Sequence, residues 1–412
     1  MTDFDVIRPV PRWVRGWGVA TVLLAAAVVV LGGLVTSFRV GMSDPVWPTE
    51  PWFLAANGHV WVQEPSRGFL IEHTHRLVAW TIGLFATVLA FGAWAAEPNR
   101  RLRWYGLAAL TILLIAYLGL HGEMGAAMRA RKEGAVLHWP AATAAACAVG
   151  LALVSAACVA VVRGGSAGRW ARVVAAVALV GVMIQGLLGG YRVFLDQLMG
   201  TQLAAVHGTF AQVVFCLLVA VVALSAPRRP GDALPEADRA RLGPLALAVP
   251  AGVFVQLVWG VMLRHTGTPL SQRLHLLTAF VVAGLCVWLA VRALATPAGR
   301  RQLGFYAYHL LGIVALQILL GVEAWMGKFA AVGPYAAMPP ELRPVTVGGA
   351  AVRTAHVLVG TGLLAVAVVF ALRVWRKPVE ETQKAKRKTQ KKAAAVGSLF
   401  AFCVLPFAFD AT

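Results

Sequence analysis

Five histidines recur at nearly regular intervals along the chain. They are His75, His138, His207, His275 and His356, separated by 63, 69, 68 and 81 residues. Each is followed four positions later by alanine or glycine, and positions i and i+4 share one face of a helix. Each imidazole is therefore expected beside a shallow notch. Neutral imidazoles on facing helices can clamp a flat macrocycle, because each offers one nitrogen to an axial position of its iron.

Other chemistries of histidine are less compatible with the pattern. A zinc site would need a tight cluster of cysteine or acidic ligands, which the sequence does not provide. Proton relay through unligated histidines is the alternative that stays open. It would need carboxylates along the apolar segments, where acids are scarce. The five cysteines all lie in apolar segments and are interpreted as small packed side chains.

One acid is well placed beside a histidine. Glu72 precedes His75 by three residues in E-H-T-H-R (72–76), so both project from one helix face. The carboxylate could stabilise developing positive charge or take a proton from a substrate held at His75. Alternatively, Glu72 forms a structural ion pair with Arg76 at i+4. His73 points elsewhere and is not expected to be a ligand.

Arginines gather at the same level of the chain. Heme propionates need cationic partners at a water interface, and guanidinium matches a carboxylate in a bidentate manner. Each arginine taken alone is equally explained as an interface anchor. The candidates for propionate binding are Arg76, Arg192, Arg264, Arg273 and Arg353.

The composition requires a lipid environment for the elements that carry these residues. Of 412 residues 59% are hydrophobic and 13% charged, and the mean hydropathy is +0.72. Roughly 20 apolar residues span a bilayer as a helix. The first apolar run superficially resembles a signal peptide, but it is too long and lacks a cleavage site. The fold class predicted is an all-α polytopic membrane protein with about ten transmembrane helices, at 17–37, 69–96, 104–121, 136–162, 170–190, 201–225, 244–263, 273–295, 303–326 and 352–375.

The net charge of +19 is explained by topology rather than by nucleic-acid binding, which is not expected. The N-terminus and the loops after even-numbered helices hold 25 of the 37 Lys and Arg residues, and the opposite loops hold 11. Basic residues mark cytoplasmic loops, so both termini are predicted to be cytoplasmic. We expect a bacterial cytoplasmic membrane, with the histidines towards its outer side.

The helices are predicted to form pseudo-repeated pairs in two bundle halves. A Q-x-x-x-G pattern near the ends of helices 5, 7 and 9 precedes His207, His275 and His356 across a loop. Outer loops 38–68 and 327–350 are long enough to fold over a site. The predicted divisions are 1–100 (helices 1–2), 101–168 (an extra pair, helices 3–4), 169–230 (helices 5–6), 231–376 (helices 7–10) and 377–412. The last is a basic tail whose apolar segment, 393–409, is a doubtful further span.

At these residues the sequence resembles the heme A synthase family of cytochrome oxidase assembly proteins. The resemblance covers helices 1–2 and 5–10, roughly three quarters of the chain. The motifs that carry it are G-G-L-V-T (32–36), G-M-S-D-P-V-W-P-T (41–49), E-H-T-H-R (72–76), L-L-G-G-Y-R-V (187–193), V-H-G-T-F-A-Q (206–212), Q-L-V-W-G-V-M-L-R-H (256–265), R-L-H (273–275), L-Q-I-L-L-G (316–321) and R-T-A-H-V-L-V-G (353–360).

The resemblance implies oxidation of the C8 methyl of heme O to a formyl group by successive hydroxylations. His75 and His207 would then hold the substrate heme in the N-terminal half, with Glu72 at the oxidised edge. His275 and His356 would hold a resident heme b that relays electrons. A heme O-supplying enzyme and an electron-transfer partner would act with the protein, and self-association is left open.

Three departures from the family separate the chain from its pattern. Helices 3 and 4 look like an inserted pair, and their His138 could compete with His207 for the substrate. Asp44 and Val46 appear exchanged in the W-P loop, and the cysteine pair that many members carry in the first outer loop is missing. The alternatives are a non-catalytic heme-binding or electron-transfer protein in oxidase assembly, and a transporter or scaffold without heme.

Overall fold

The computed structural model describes residues 9–43, 66–132, 134, 136, 138–330, 337–339 and 342–378. Within them helices are joined by turns and loops, and there is no strand. Ten helices are long and apolar enough to cross a membrane. They are α1 (Arg12–Ser37), α2 (Arg67–Ala95), α3 (Arg100–Lys132), α4 (Ala141–Arg163), α5 (Arg169–Val193), α6 (Met199–Leu224), α7 (Glu236–His265), α8 (Pro269–Leu294), α9 (Pro297–Phe329) and α10 (Val347–Val374).

The outward faces of the helices are apolar. Phe280 is 78% exposed, Leu319 68% and Leu23 67%, although each lies in the middle of its helix. Water would make such faces unstable, whereas hydrocarbon solvates them, and helices satisfy their own backbone hydrogen bonds there. The protein is therefore an integral membrane protein, as its composition predicts.

Three of the helices that carry a candidate histidine begin at a side-chain cap. Ser66 accepts a hydrogen bond from the Phe69 amide at the start of α2, and Thr268 and Thr346 do the same for Ser271 and Gly349. Such a cap stabilises a helix start by roughly 1 kcal/mol. The caps fix where these helices begin, and hence how far along each helix its histidine lies.

Helices α5 and α6 are joined without an intervening loop. Helical hydrogen bonding runs from Arg169 to Leu224, but Gly200 within it has φ 46° and ψ −126°. That left-handed conformation is readily adopted only by glycine. The chain folds back near this point, since Gln185 of α5 contacts His207 of α6.

Two four-helix groups make up most of the bundle. Helices α1, α2, α5 and α6 surround one apolar core, and α7 to α10 surround another. Helices α1 and α10 pack directly against each other between the groups. There a Cβ added to Gly33 would lie 2.8 Å from Cγ2 of Thr354, so the missing side chain permits the close approach. Thr361 donates to Gln212 at 2.8 Å, which links α10 to α6.

The two additional helices, α3 and α4, pack mainly against each other and also contact α2 and α5. Its bounds correct two sequence expectations. Helix α3 continues to Lys132 rather than ending near 121, and α4 begins at Ala141 rather than near 136. His138 therefore lies outside α4 and is exposed, although the sequence placed it inside the helix predicted at 136–162. Most of loop 38–68, much of 327–350 and the segment 393–409 lie outside the described residues.

Candidate functional site

The other four histidines share one local arrangement. Each lies on the second helix of a hairpin, and its ring packs against a glycine of the first helix. A Cβ at that glycine would lie 3.0–3.1 Å from the ring Cε1 in three of them, so a larger residue there would press on the imidazole, and at 3.5 Å, an ordinary contact, in the fourth, at Gly189. The four contacts join α1 to α2, α5 to α6, α7 to α8 and α9 to α10. They are Gly32–His75, Gly189–His207, Gly260–His275 and Gly321–His356.

In three of the four hairpins a glutamine one turn before the glycine contacts the same histidine. Gln185 Nε2 lies 3.2 and 3.1 Å from the two ring nitrogens of His207, and Gln256 Nε2 lies 3.1 Å from Nδ1 of His275. Gln317 Nε2 lies 3.3 Å from Nε2 of His356. The Q-x-x-x-G pattern thus has a structural meaning, because the glycine makes room for the ring and the amide contacts it.

The hairpin of α1 and α2 departs from this arrangement. Val28 occupies the glutamine position, one turn before Gly32, and only its main-chain carbonyl faces the His75 ring. Nδ1 of His75 is buried and makes no hydrogen bond in the described part of the chain. Nδ1 of His356 is in the same condition. Buried polar atoms without partners are rare in folded proteins and indicate an absent partner.

His275 and His356 meet between α8 and α10. Their ring centroids are 6.2 Å apart and their planes lie at 80°. Two imidazoles on opposite sides of one metal ion, each with a metal–nitrogen bond of about 2 Å, have ring centres about 6 Å apart. The separation therefore suits two axial ligands of one iron. Arg264 is an electrostatic neighbour of His356 at this pair.

His75 and His207 are likewise electrostatic neighbours, on α2 and α6. Arg192 lies near both, where its guanidinium packs against Gly41. His265, the last residue of α7, also interacts with His207 and with Arg192. The first site therefore brings together two predicted histidines, a predicted arginine and one histidine that sequence reasoning did not select.

Glu72 is buried and paired with Arg76, with 3.1 Å between Oε1 and Nη2. This is the i,i+4 ion pair that the sequence offered as an alternative role. Arg76 is also an electrostatic neighbour of His75, so the pair lies beside the first site. His73 is buried and stacks on Phe69 at 5.3 Å, which agrees with its exclusion from the ligands.

The predicted arginines differ in their placement. Arg264 reaches from α7 to α1, where it donates to the Gly33 carbonyl at 2.7 Å and to the Ser37 hydroxyl at 2.8 Å. Arg353 donates to the Ser37 carbonyl at 3.5 Å, and the two guanidinium groups are electrostatic neighbours. Neither pairs with a carboxylate in the described structure. Arg273 is exposed and does not join either site.

Sequence reasoning missed two histidines that the structure buries or partly buries. His265 ends the Q-L-V-W-G-V-M-L-R-H motif, and its position directly after Arg264 was the available signal. His121 of α3 is 4% exposed and packs edge-on against Trp80 at 5.2 Å. His121 lacks the periodic spacing, so no pattern distinguished it from a packing residue.

The donor set fits an iron tetrapyrrole better than a bare metal ion. Among the described residues no three His, Cys, Asp or Glu side chains converge on one point. A bare ion usually needs three or more protein ligands, whereas tetrapyrrole iron needs one or two axial ones. The two histidine pairs, with arginine side chains beside them, are compatible with that smaller requirement.

Comparison with known proteins adds no assignment. No family model, no curated protein and no solved structure matches the chain. The resemblance to the heme A synthase family therefore depends on the order and spacing of its motifs and on the geometry of the two histidine pairs.

Proposed function

We propose that the protein is a heme A synthase-like membrane oxidase that converts the C8 methyl of heme O to a formyl group. The observation that carries this proposal is the repeated histidine–glycine hairpin, which brings four imidazoles together as two pairs. His75 and His207 would hold the substrate heme, and His275 and His356 a resident heme b. The 6.2 Å between the second pair of rings supports ligation of one iron from both sides.

The residues of the first site have distinct roles in this proposal. His75 and His207 bind the substrate iron and so orient the macrocycle. Glu72, one turn from His75, would be the catalytic residue that accepts a proton as the methyl carbon loses hydrogen. Its carboxylate lies 3.1 Å from the guanidinium of buried Arg76, which fixes its position beside the first site. Arg192 would pair with a propionate of the substrate.

The second site would hold its heme permanently. His275 and His356 bind the iron, and Arg264 and Arg353 supply two adjacent positive charges for its propionates. Heme b would supply one-electron chemistry when bound. The oxygen of the formyl group would come from water, the protons released would pass to Glu72 and to water, and the electrons would pass to a redox carrier. Arg264 also contacts α1, so it links the second site to the helix whose Gly32 packs on His75.

The proposal includes a location and partners. The distribution of basic residues supports cytoplasmic termini in a bacterial cytoplasmic membrane, with both histidine pairs towards the outer side. An enzyme that supplies heme O and a redox carrier that takes the electrons would act with the protein.

Pigment analysis of the purified membrane protein tests the proposal. We expect a Soret band, bis-histidine optical spectra and, when heme O is supplied during expression, heme A in the extracted pigment. Protein without any Soret band would overturn heme binding altogether. The measurement needs only the intact chain in detergent and a pyridine hemochrome assay.

A non-catalytic heme-binding or electron-transfer protein is the second candidate. The Glu72–Arg76 pair favours it, because this contact gives Glu72 a structural role that needs no catalysis. The same heme O experiment separates the two functions. A carrier would hold heme O unchanged, whereas an oxidase would yield the alcohol and formyl products.

A further inference from the structure

We propose that Gln185, Gln256 and Gln317 are positioning residues that hold three of the histidine rings. Val28 occupies the fourth equivalent position, so His75 would be the ligand that dissociates most readily from the heme iron. This inference rests on the proposed binding of heme iron. It concerns how tightly each site keeps its heme, which neither the family resemblance nor the motif order addresses.

Gln256 shows how the side chain is fixed at both ends. Its Oε1 accepts a hydrogen bond from the Thr278 hydroxyl, one turn after His275 on α8. Its Nε2 donates to the main-chain carbonyl of His275 at 2.8 Å and lies 3.1 Å from the ring Nδ1. The Gln256 main-chain carbonyl lies 3.3 Å from the same Nδ1. Nδ1–H can donate to the Gln256 main-chain carbonyl, which leaves Nε2 free for a metal, while the side-chain amide packs against the ring.

Gln185 and Gln317 occupy the same position in their hairpins. Gln185 Nε2 donates to the His207 main-chain carbonyl at 3.0 Å, as Gln256 does to that of His275. Gln317 contacts the His356 ring, and its amide fits because residue 360 is glycine. A Cβ at Gly360 would lie 3.0 Å from Gln317 Nε2. The small residue four positions after the histidine thus makes room for the glutamine here, not for a macrocycle edge.

Val28 cannot donate a hydrogen bond from its side chain. The His75 ring therefore rests on Gly32 and faces the Val28 main-chain carbonyl, but no side-chain amide contacts it in the described structure. A ring held by fewer contacts rotates and dissociates more readily from iron, since outer hydrogen bonds orient a ligand and raise its basicity. Both histidines of the second site contact a glutamine, whereas only His207 does so in the first.

The asymmetry matches what two heme sites of one oxidase must do. A substrate site has to admit heme O and release its product in every cycle. A resident site has to keep its heme. In the first site one ligand lacks a glutamine contact, which permits exchange of the heme. In the second site both ligands contact a glutamine, which opposes exchange.

Heme-transfer kinetics with added hemin and apomyoglobin as the acceptor test the inference. Gln256→Leu and Gln317→Leu should release heme from the second site about tenfold faster than the wild type, the range found for outer-shell substitutions. Gln202→Leu is the matched control, since Gln202 is exposed on α6, and it should leave the rate unchanged.

Val28→Gln supplies the reverse test, because it adds the missing amide. In a His275→Ala background that leaves only the first site, hemin should leave about fivefold more slowly than from the His275→Ala protein. Carbon monoxide, which occupies an axial position of reduced heme, should bind the Val28→Gln protein more slowly. Circular dichroism in detergent verifies that each variant keeps its helices.

The outcomes separate this inference from the proposed function. A wild-type protein that binds no hemin would overturn the proposed function. Suppose that the wild-type protein binds hemin, and that each of the Gln256→Leu, Gln317→Leu and Val28→Gln proteins transfers hemin at the rate of its own parent protein. This result would overturn the positioning role alone. Should the leucine variants lose their helices, the Val28→Gln protein alone decides the question.

Discussion

The two histidine sites are built from the same hairpin but are not equivalent. In the second, His275 and His356 face each other at 6.2 Å, both contact a glutamine, and the nearby charges are arginines. In the first, His75 lacks the glutamine and has the Glu72–Arg76 ion pair beside it. Under the proposed function, a repeated backbone would host one site that retains its heme and one that exchanges it, through a few side-chain differences.

The largest expected effect separates the two sites directly. His356→Ala removes one axial ligand of the second pair, and we expect its heme occupancy to fall by more than about tenfold. His75→Ala should keep the resident heme and stop heme A formation. Heme content per protein and extracted heme A measure both effects. Unchanged spectra in both variants would show that neither histidine binds iron.

The acid at the first site gives the next largest effect. Glu72→Ala leaves Arg76 buried without its paired carboxylate, which should destabilise the protein by about 3 kcal/mol and slow oxidation while sparing resident heme. Glu97→Ala is the matched control. Glu97 forms the other buried pair, at 3.2 Å from Arg172, outside the histidine sites.

Thermal unfolding in detergent and heme A formation are measured on both variants. We expect comparable losses of stability and slowed oxidation only in Glu72→Ala. Full activity in that variant would reduce Glu72 to a structural partner of Arg76.

A smaller effect is expected from filling the glycine contact of the second site. A Cβ at Gly321 would lie 3.1 Å from Cε1 of His356, so Gly321→Ala should displace the ring and cost about 1–3 kcal/mol. Gly312→Ala on the same helix meets nothing within 4 Å and serves as the control. The Soret maximum should shift in the first variant only. Identical spectra in both would show that the ring does not depend on the glycine.

The smallest effect is expected outside both sites. His138 is exposed and precedes α4, so His138→Ala should change stability by less than about 0.5 kcal/mol and leave heme content unaltered. Heme quantification and thermal unfolding measure this. A loss of heme would instead support His138 as a competitor of His207 for the substrate.

Hydropathy and spacing predicted much of the fold. Ten apolar stretches became ten helices because lipid imposes one local rule, that a spanning segment must be apolar and satisfy its own hydrogen bonds. The same rule located Glu72 and four of the five periodic histidines on helices. It wrongly placed His138 on a helix. The segment is apolar enough for one, but α4 starts three residues later, at Ala141.

The sequence by itself determined that the protein is helical, spans a membrane and carries histidines near helix starts, because these depend on residues close together in the chain. Only the tertiary structure decided which histidines meet. The approach of α1 to α10 at Gly33, the fold-back near Gly200 and the arrival of His265 beside His207 depend on contacts between distant helices. Periodicity cannot show such contacts, because it describes the face of one helix and not its neighbour.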